Sequence, residues 1–316
     1  MTHPDQLHAG EEDKDKLIQI LSLFLLLLGI LTVCTRLGTK YVLKRSFRLD
    51  DKLIVIAEVI LIAQTVAVIL SASQGLGKPE KSLSEQAVDN TLKAEYASIP
   101  LLIAGFAVIK WSLLELVYHV SPNHGYQRTS LVIAGLVGLW LVTTIFTSLF
   151  QCALPAPWDH GPERPCINRK AWWTYVTTIN VVTEFSIIAL YISIFAPLQM
   201  SSLKKTAVLA VFSTRFLVAV AAILQLITFH LEDMASDMTY SLWLPTLSNQ
   251  ITAAVSIVTA CIPYLKPFMD SVELDIIRIQ EAYTLGDSDF ERRPGDGIFV
   301  LQEVNISSVD CDCRSP

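Results

Sequence analysis

The chain has 316 residues, 52% of them hydrophobic and 17% charged, where an ordinary globular domain is roughly 25% charged. Its mean hydropathy of +0.47 leaves too little polar surface to coat a soluble fold, and the apolar residues come in blocks of about 20, the length of helix that crosses a hydrocarbon core. A net charge of -6 without a basic stripe argues against nucleic acid as a partner, because phosphate contacts need clustered Lys and Arg. The expected fold is all-α, a polytopic membrane protein of seven transmembrane helices, with the lipid bilayer as its first partner.

In chain order, residues 1–16 are polar and of mixed charge, and read as a disordered extracellular lead. The apolar run 17–33 follows an acidic flank where a secretory signal would carry a basic one, which makes it a retained helix. Arg36, Lys40, Lys44, Arg45, Arg48 and Lys52 come next. A basic loop marks the cytoplasmic side, so the N-terminus is expected outside. Further spans are expected over 53–73, 95–118, 129–150, 172–196, 206–229 and 242–265, which complete a seven-helix transmembrane domain at 17–265 and leave the C-terminus cytoplasmic. The stretch 74–93 reads as an outer loop, Ser121-Pro122-Asn123-His124-Gly125 as a tight inner turn, and Lys204 and Lys205 sit in an inner loop. Beyond the last span, Phe268, Val272, Ile276, Ile279 and Tyr283 recur at three and four, the pattern of an amphipathic cytoplasmic helix over 266–285. The Gly-, Asp- and Ser-rich remainder, 286–316, reads as a disordered cytoplasmic tail.

Of the six cysteines, Cys34 and Cys261 lie in apolar spans and Cys311 and Cys313 in the tail, so only Cys152 and Cys166 share a loop. Between the fourth and fifth spans that loop faces out, where thiols oxidise. A bridge there would close about 15 residues, a constraint on the order of 3 kcal/mol. The competing reading is two free thiols.

A charge at mid-helix costs roughly 2.5–3.5 kcal/mol on insertion scales, so such residues face the bundle interior and have partners. The chain offers Glu58, Lys110, Glu115, Glu184 and Arg215. At about 1.5 Å of rise per residue, Glu184 and Arg215 both fall near the midplane and are expected to pair or to share a water-filled cavity. Lys110 and Glu58 lie in the inner half and form a candidate second pair. Asn180 and Glu184 are four apart and share a helical face, with Thr183 adjacent. Asn249 and Gln250 of the seventh span are candidates to complete a ligand or proton site around them. The competing reading is a paired ion that holds helices in register with no ligand. The six histidines are scattered, and neither a Gly-rich phosphate loop nor a nucleophile elbow is present, so no metal and no cofactor is expected.

Several residues taken together carry a resemblance. Leu49-Asp50-Asp51 enters the second span, Lys110-x-Ser112-x-Leu114 lies in the third, and Phe150-Gln151-Cys152-x-x-Pro155-x-x-Trp158 with Cys166 forms the outer loop. Asn180-x-x-Thr183-Glu184 lies in the fifth span and Ala260-Cys261-Ile262-Pro263 in the seventh. This set resembles the fungal rhodopsin-domain family over about residues 17–270. The sequence departs from the family pattern in carrying Glu184 in place of the usual aspartate, Leu49 in place of tryptophan, and Arg215 in place of a small residue.

The resemblance implies a seven-helix, receptor-like protein of filamentous fungi. Some members of that family look like receptors for surface or host cues, and others are encoded within secondary-metabolite gene clusters. Retinal is not expected, since a Schiff base needs a lysine inside the seventh span and Lys266 stands at its inner end. The expected function is therefore that of a receptor-like membrane protein, in the plasma membrane or alternatively an endomembrane. It would sense a small-molecule ligand or surface cue and act on a cytoplasmic signalling protein, and is not expected to be an enzyme. The alternative is a membrane-embedded cyclase or isomerase of secondary metabolism with Glu184 as acid or base.

Overall fold

The computed structural model describes residues 14–44, 46–121, 123–153, 155–158, 165–195, 213–231 and 237–263. Two units divide the chain, 1–268 and 269–316, and the second lies outside the described residues. So do most of the expected lead, the inner loop with Lys204 and Lys205, the amphipathic helix at 266–285 and the tail at 286–316.

Seven long helices make up the described part of the first unit. They are α1 (Lys14–Val42), α2 (Leu49–Gln74), α3 (Glu85–Val120), α4 (His124–Leu149), α5 (Arg169–Phe195), α6 (Phe216–Leu231) and α7 (residues 243–263). The described residues also include a 3-10 turn, Glu80–Ser82, and a short helical turn, Met238–Ser241. Among the described residues α1 to α5 are long and apolar enough to cross a membrane, and α6 is a shorter apolar helix.

Local chemistry sets the helix ends. The Ser84 hydroxyl accepts from the Ala87 N–H to start α3, and the Asn123 side chain accepts from the Gly125 N–H to start α4, each relieving an orphan donor of the first turn. Gly75 closes α2 at φ 132°, a conformation open to glycine alone at no steric cost. Pro100 sits inside α3 and removes one donor from its backbone ladder.

The centre of the bundle is α3, which packs against α2, α4 and α5, while α1 packs on α2 and α6 on α5. In its most apolar stretch 72% of α3 is buried inside the protein, against 22% for α1, so α1 lies at the periphery. Phe24, Leu27 and Leu31 of α1 and Leu136, Leu139 and Phe146 of α4 point outward, the arrangement of helices bathed in hydrocarbon.

The two ends of the bundle differ. At one end the Cys152–Cys166 disulfide closes the α4–α5 connection, Lys14 donates to the Tyr240 hydroxyl, Asp15 pairs with Lys78, and Asp237 accepts from the Glu80 N–H. At the opposite end lie the α1–α2 and α3–α4 turns.

One expectation about the opposite end needs correcting. Helix α1 does not stop at residue 33 but continues to Val42, and Arg36 and Lys40 are buried helical residues, not members of a solvated basic loop. Likewise α3 begins at Glu85, so the polar stretch after α2 is half helix. Both extensions put charge on helix that hydropathy alone reads as loop.

Candidate functional site

The expected ion pair is formed and enlarged. Arg215, immediately before α6, donates from Nη2 to Oε2 of Glu184 on α5 at 2.7 Å. Lys110 of α3 lies 3.1 Å from the other oxygen, Oε1. The same ammonium donates to the Thr183 hydroxyl at 2.6 Å and to the Asn180 carbonyl at 2.8 Å. The second guanidinium nitrogen of Arg215 donates to the Ser256 carbonyl and the Thr259 hydroxyl of α7, each at 3.0 Å. All three charged side chains are at most 2% exposed. The triad therefore ties α3, α5, α7 and the start of α6 at one point, with two cations on one carboxylate.

The other predicted residues distribute differently. Asn180 contributes its backbone oxygen, and its side-chain oxygen is buried without a partner. Asn249 does not join the triad but accepts from Gln225 of α6. Gln250 bonds to Gln64 and Thr65 of α2. The candidate pair of Lys110 with Glu58 is not formed: Lys110 turns to Glu184, and both carboxylate oxygens of Glu58 are buried without a hydrogen-bond partner.

A second buried cluster escaped the sequence reading. Arg36 donates to Asp50 at 2.8 Å and to Asp51 at 3.2 Å, and Lys40 lies 2.6 Å from Asp51 and 3.3 Å from Asp50. Asp51 also accepts from the Arg48 N–H, capping α2. Arg36 reaches on to the Ala260 carbonyl of α7, and Ser112 of α3 donates to the Asp50 carbonyl. The signal was present in the sequence as two acids directly after a run of bases. A cleft of about 370 Å³ adjoins the cluster, lined by Thr39, Lys40, Arg48 and His119 among others.

At the disulfide end, Cys152 and Cys166 are bonded, and an isolated antiparallel bridge pairs their backbones. The loop lays Trp158 on α3: its indole N–H donates to Asp89 at 2.7 Å, its ring meets Tyr96 edge-on, and Lys93 stands 4.9 Å above it. Trp158 forms one wall of a cleft of about 440 Å³ lined also by Glu80, Leu83, Glu85, Val88, Asp89 and Leu92. No group of three or more His, Cys, Asp or Glu suited to a metal occurs among the described residues.

A helical bundle of this length, with apolar faces turned outward and its charges paired inside, defines a multi-pass membrane protein. The family described as Fungal rhodopsin domain matches residues 35–271, and the chain belongs to that family. Its architecture is receptor-like. A search of the curated proteins returned no match. The family's name points to retinal, yet the residues present do not suit a Schiff base. Over 243–263 α7 has no lysine, and the two lysines buried among the described residues, Lys40 and Lys110, are each held by carboxylates.

Proposed function

We propose that the protein senses a small-molecule or surface cue at the disulfide end of the bundle and signals from the opposite end to a cytoplasmic partner. The observation that carries this reading is the cleft under Trp158. A loop pinned by a disulfide presses an aromatic wall onto the central helix, so an occupant of the cleft touches α3 directly. Along α3 the same helix carries Lys110 and Ser112, which connect to both buried ion clusters. Oxidation of Cys152 and Cys166 supports placing that end outside the cytosol, and the plasma membrane is the location that suits surface sensing.

The competing reading, a cyclase or isomerase using Glu184 as acid or base, is disfavoured by the same geometry. Each oxygen of Glu184 is already engaged by a cation, and two cations on one carboxylate hold it ionised and make it a poor proton acceptor. The test compares a gene deletion with a strain carrying Trp158→Ala, reading both the response to surface cues and the extracted metabolites. Loss of the cue response in both strains with unchanged metabolites is the expected result. A lost product with an accumulated precursor in the deletion strain overturns the receptor reading.

A further inference from the structure

The end of the bundle opposite the disulfide carries its surface charge unevenly. Arg36 and Lys40 are buried there and matched by Asp50 and Asp51, and Glu115 lies 3.3 Å from His119 one turn along α3. Among the described residues of this end, the charged side chains left exposed are Lys44, Arg48, Lys52 and Arg128, all of them positive. The disulfide end instead mixes both signs, as in Lys81, Glu85 and Lys170.

Three of those cations gather at the cleft of about 370 Å³, where Leu43, Ser46 and Arg48 of the α1–α2 connection face Leu116 and His119 at the end of α3. That volume lies in the range of small-ligand sites. Of the two lysine and arginine side chains in its wall, Lys40 is held by the aspartates and Arg48 is exposed. A guanidinium forks onto phosphate oxygens, and Lys44 and Lys52 stand four positions to either side of it in the chain. Around the cleft the chain suits a bilayer surface. Tyr41, Val42, Phe47 and Leu49 are each more than half exposed and interleave with the lining residues, and Ile56 and Val59 carry an outward apolar stripe from Leu49 along α2. Cations interleaved with aromatic and aliphatic side chains mark the membrane interface, whereas an acidic peptide would answer the cations and leave the apolar side chains uncovered.

We infer that this cleft seats the headgroup of a phosphoinositide, with Arg48 on its phosphate and its acyl chains along the outward stripe of α2. Basic pockets between helices on the cytoplasmic side take anionic headgroups of this kind, and the inference rests on the orientation proposed above. Three exposed cations ask for more than one negative charge, which a phosphorylated inositol carries and a serine headgroup does not. The bound headgroup ties the α1–α2 connection to the end of α3 beside the Arg36–Asp50 cluster, so the lipid steadies the end from which the signal leaves.

The full chain in detergent micelles is melted with phosphatidylinositol 4-phosphate or phosphatidylcholine added at equal mole fraction. The expected result is a melting temperature higher with the phosphoinositide, by on the order of 3 °C. Arg48 caps α2 through its backbone N–H, so Arg48→Gln keeps the fold and is expected to raise the half-saturating mole fraction about fivefold, the worth of one cation at an anionic surface. Lys44→Gln, expected to do the same, serves where Arg48→Gln does not express. Lys81→Gln, at the disulfide end, is expected to titrate as the parent does, and inositol 1,4-bisphosphate, the headgroup without chains, to give no shift at the same concentration. Equal melting of the parent in the two lipids overturns the inference, as does an undiminished titration in Arg48→Gln or an equal loss in Lys81→Gln. A full shift with the soluble headgroup overturns the lipid in favour of a soluble phosphate. No cue enters this assay, so its failure leaves the receptor reading standing, and that reading falls by Trp158→Ala alone.

Discussion

Lys110 reaches Glu184, not Glu58: its Nζ lies 3.1 Å from Oε1 of Glu184 while Arg215 holds Oε2. One carboxylate thus separates two buried cations. Glu184→Gln leaves those cations facing each other and is expected to destabilise the protein by about 3–5 kcal/mol, read as a lower melting temperature in detergent. Adding Lys110→Met to that variant removes one of the stranded charges and is expected to recover part of the loss. A Glu184→Gln protein that melts with the parent would show that the triad does not hold the helices together.

The cluster at the opposite end makes a comparative prediction. Arg36 joins Asp50 and Asp51 to the Ala260 carbonyl of α7, and Lys40 pairs with the same two aspartates. Arg36→Met is therefore expected to cost more than Lys40→Met, by roughly the 1.5–3 kcal/mol of a charged hydrogen bond. Melting of the two variants side by side checks the order.

Cys152 and Cys166 are separated by 14 positions. Opening that loop by Cys166→Ser is expected to lower stability by on the order of 3 kcal/mol in the chain-entropy model. The effect should appear in the parent on adding a thiol reductant, and the reductant should do nothing further to the variant.

Trp158→Ala removes the indole bond to Asp89 and the wall of the outer cleft. The acceptor is a half-exposed carboxylate, so the lost bond falls at the low end of charged hydrogen bonds, about 1.5 kcal/mol, and melting falls only modestly. The response to the sensed cue is expected to disappear. A variant with normal response and normal melting would take the cleft out of the signalling account.

Much of this was legible from residue order because the bilayer imposes one length and one composition on each span. The helices that cross, the bridged cysteines and the meeting of Glu184 with Arg215 all follow from apolar run length and depth. What failed were the ends and the partners. Arg36 and Lys40 look like loop cations since hydropathy falls where they begin, yet Asp50 and Asp51 on the returning helix make burial affordable. Asn249 and Glu58 were misplaced for another reason: depth along a helix can be counted from sequence, but rotation about its axis against neighbours cannot. Asn249 consequently turned to Gln225 and Glu58 to Gly29.

Pro100 divides α3 unevenly. Without an N–H at that position, the hydrogen-bond ladder is interrupted once between the segment bearing Asp89 and Tyr96 and the segment bearing Lys110 and Ser112. On the sensing role proposed above, the missing bond lies between the arm of α3 that meets the indole and the arm held in the ion clusters, the place where a change of angle costs least backbone hydrogen bonding.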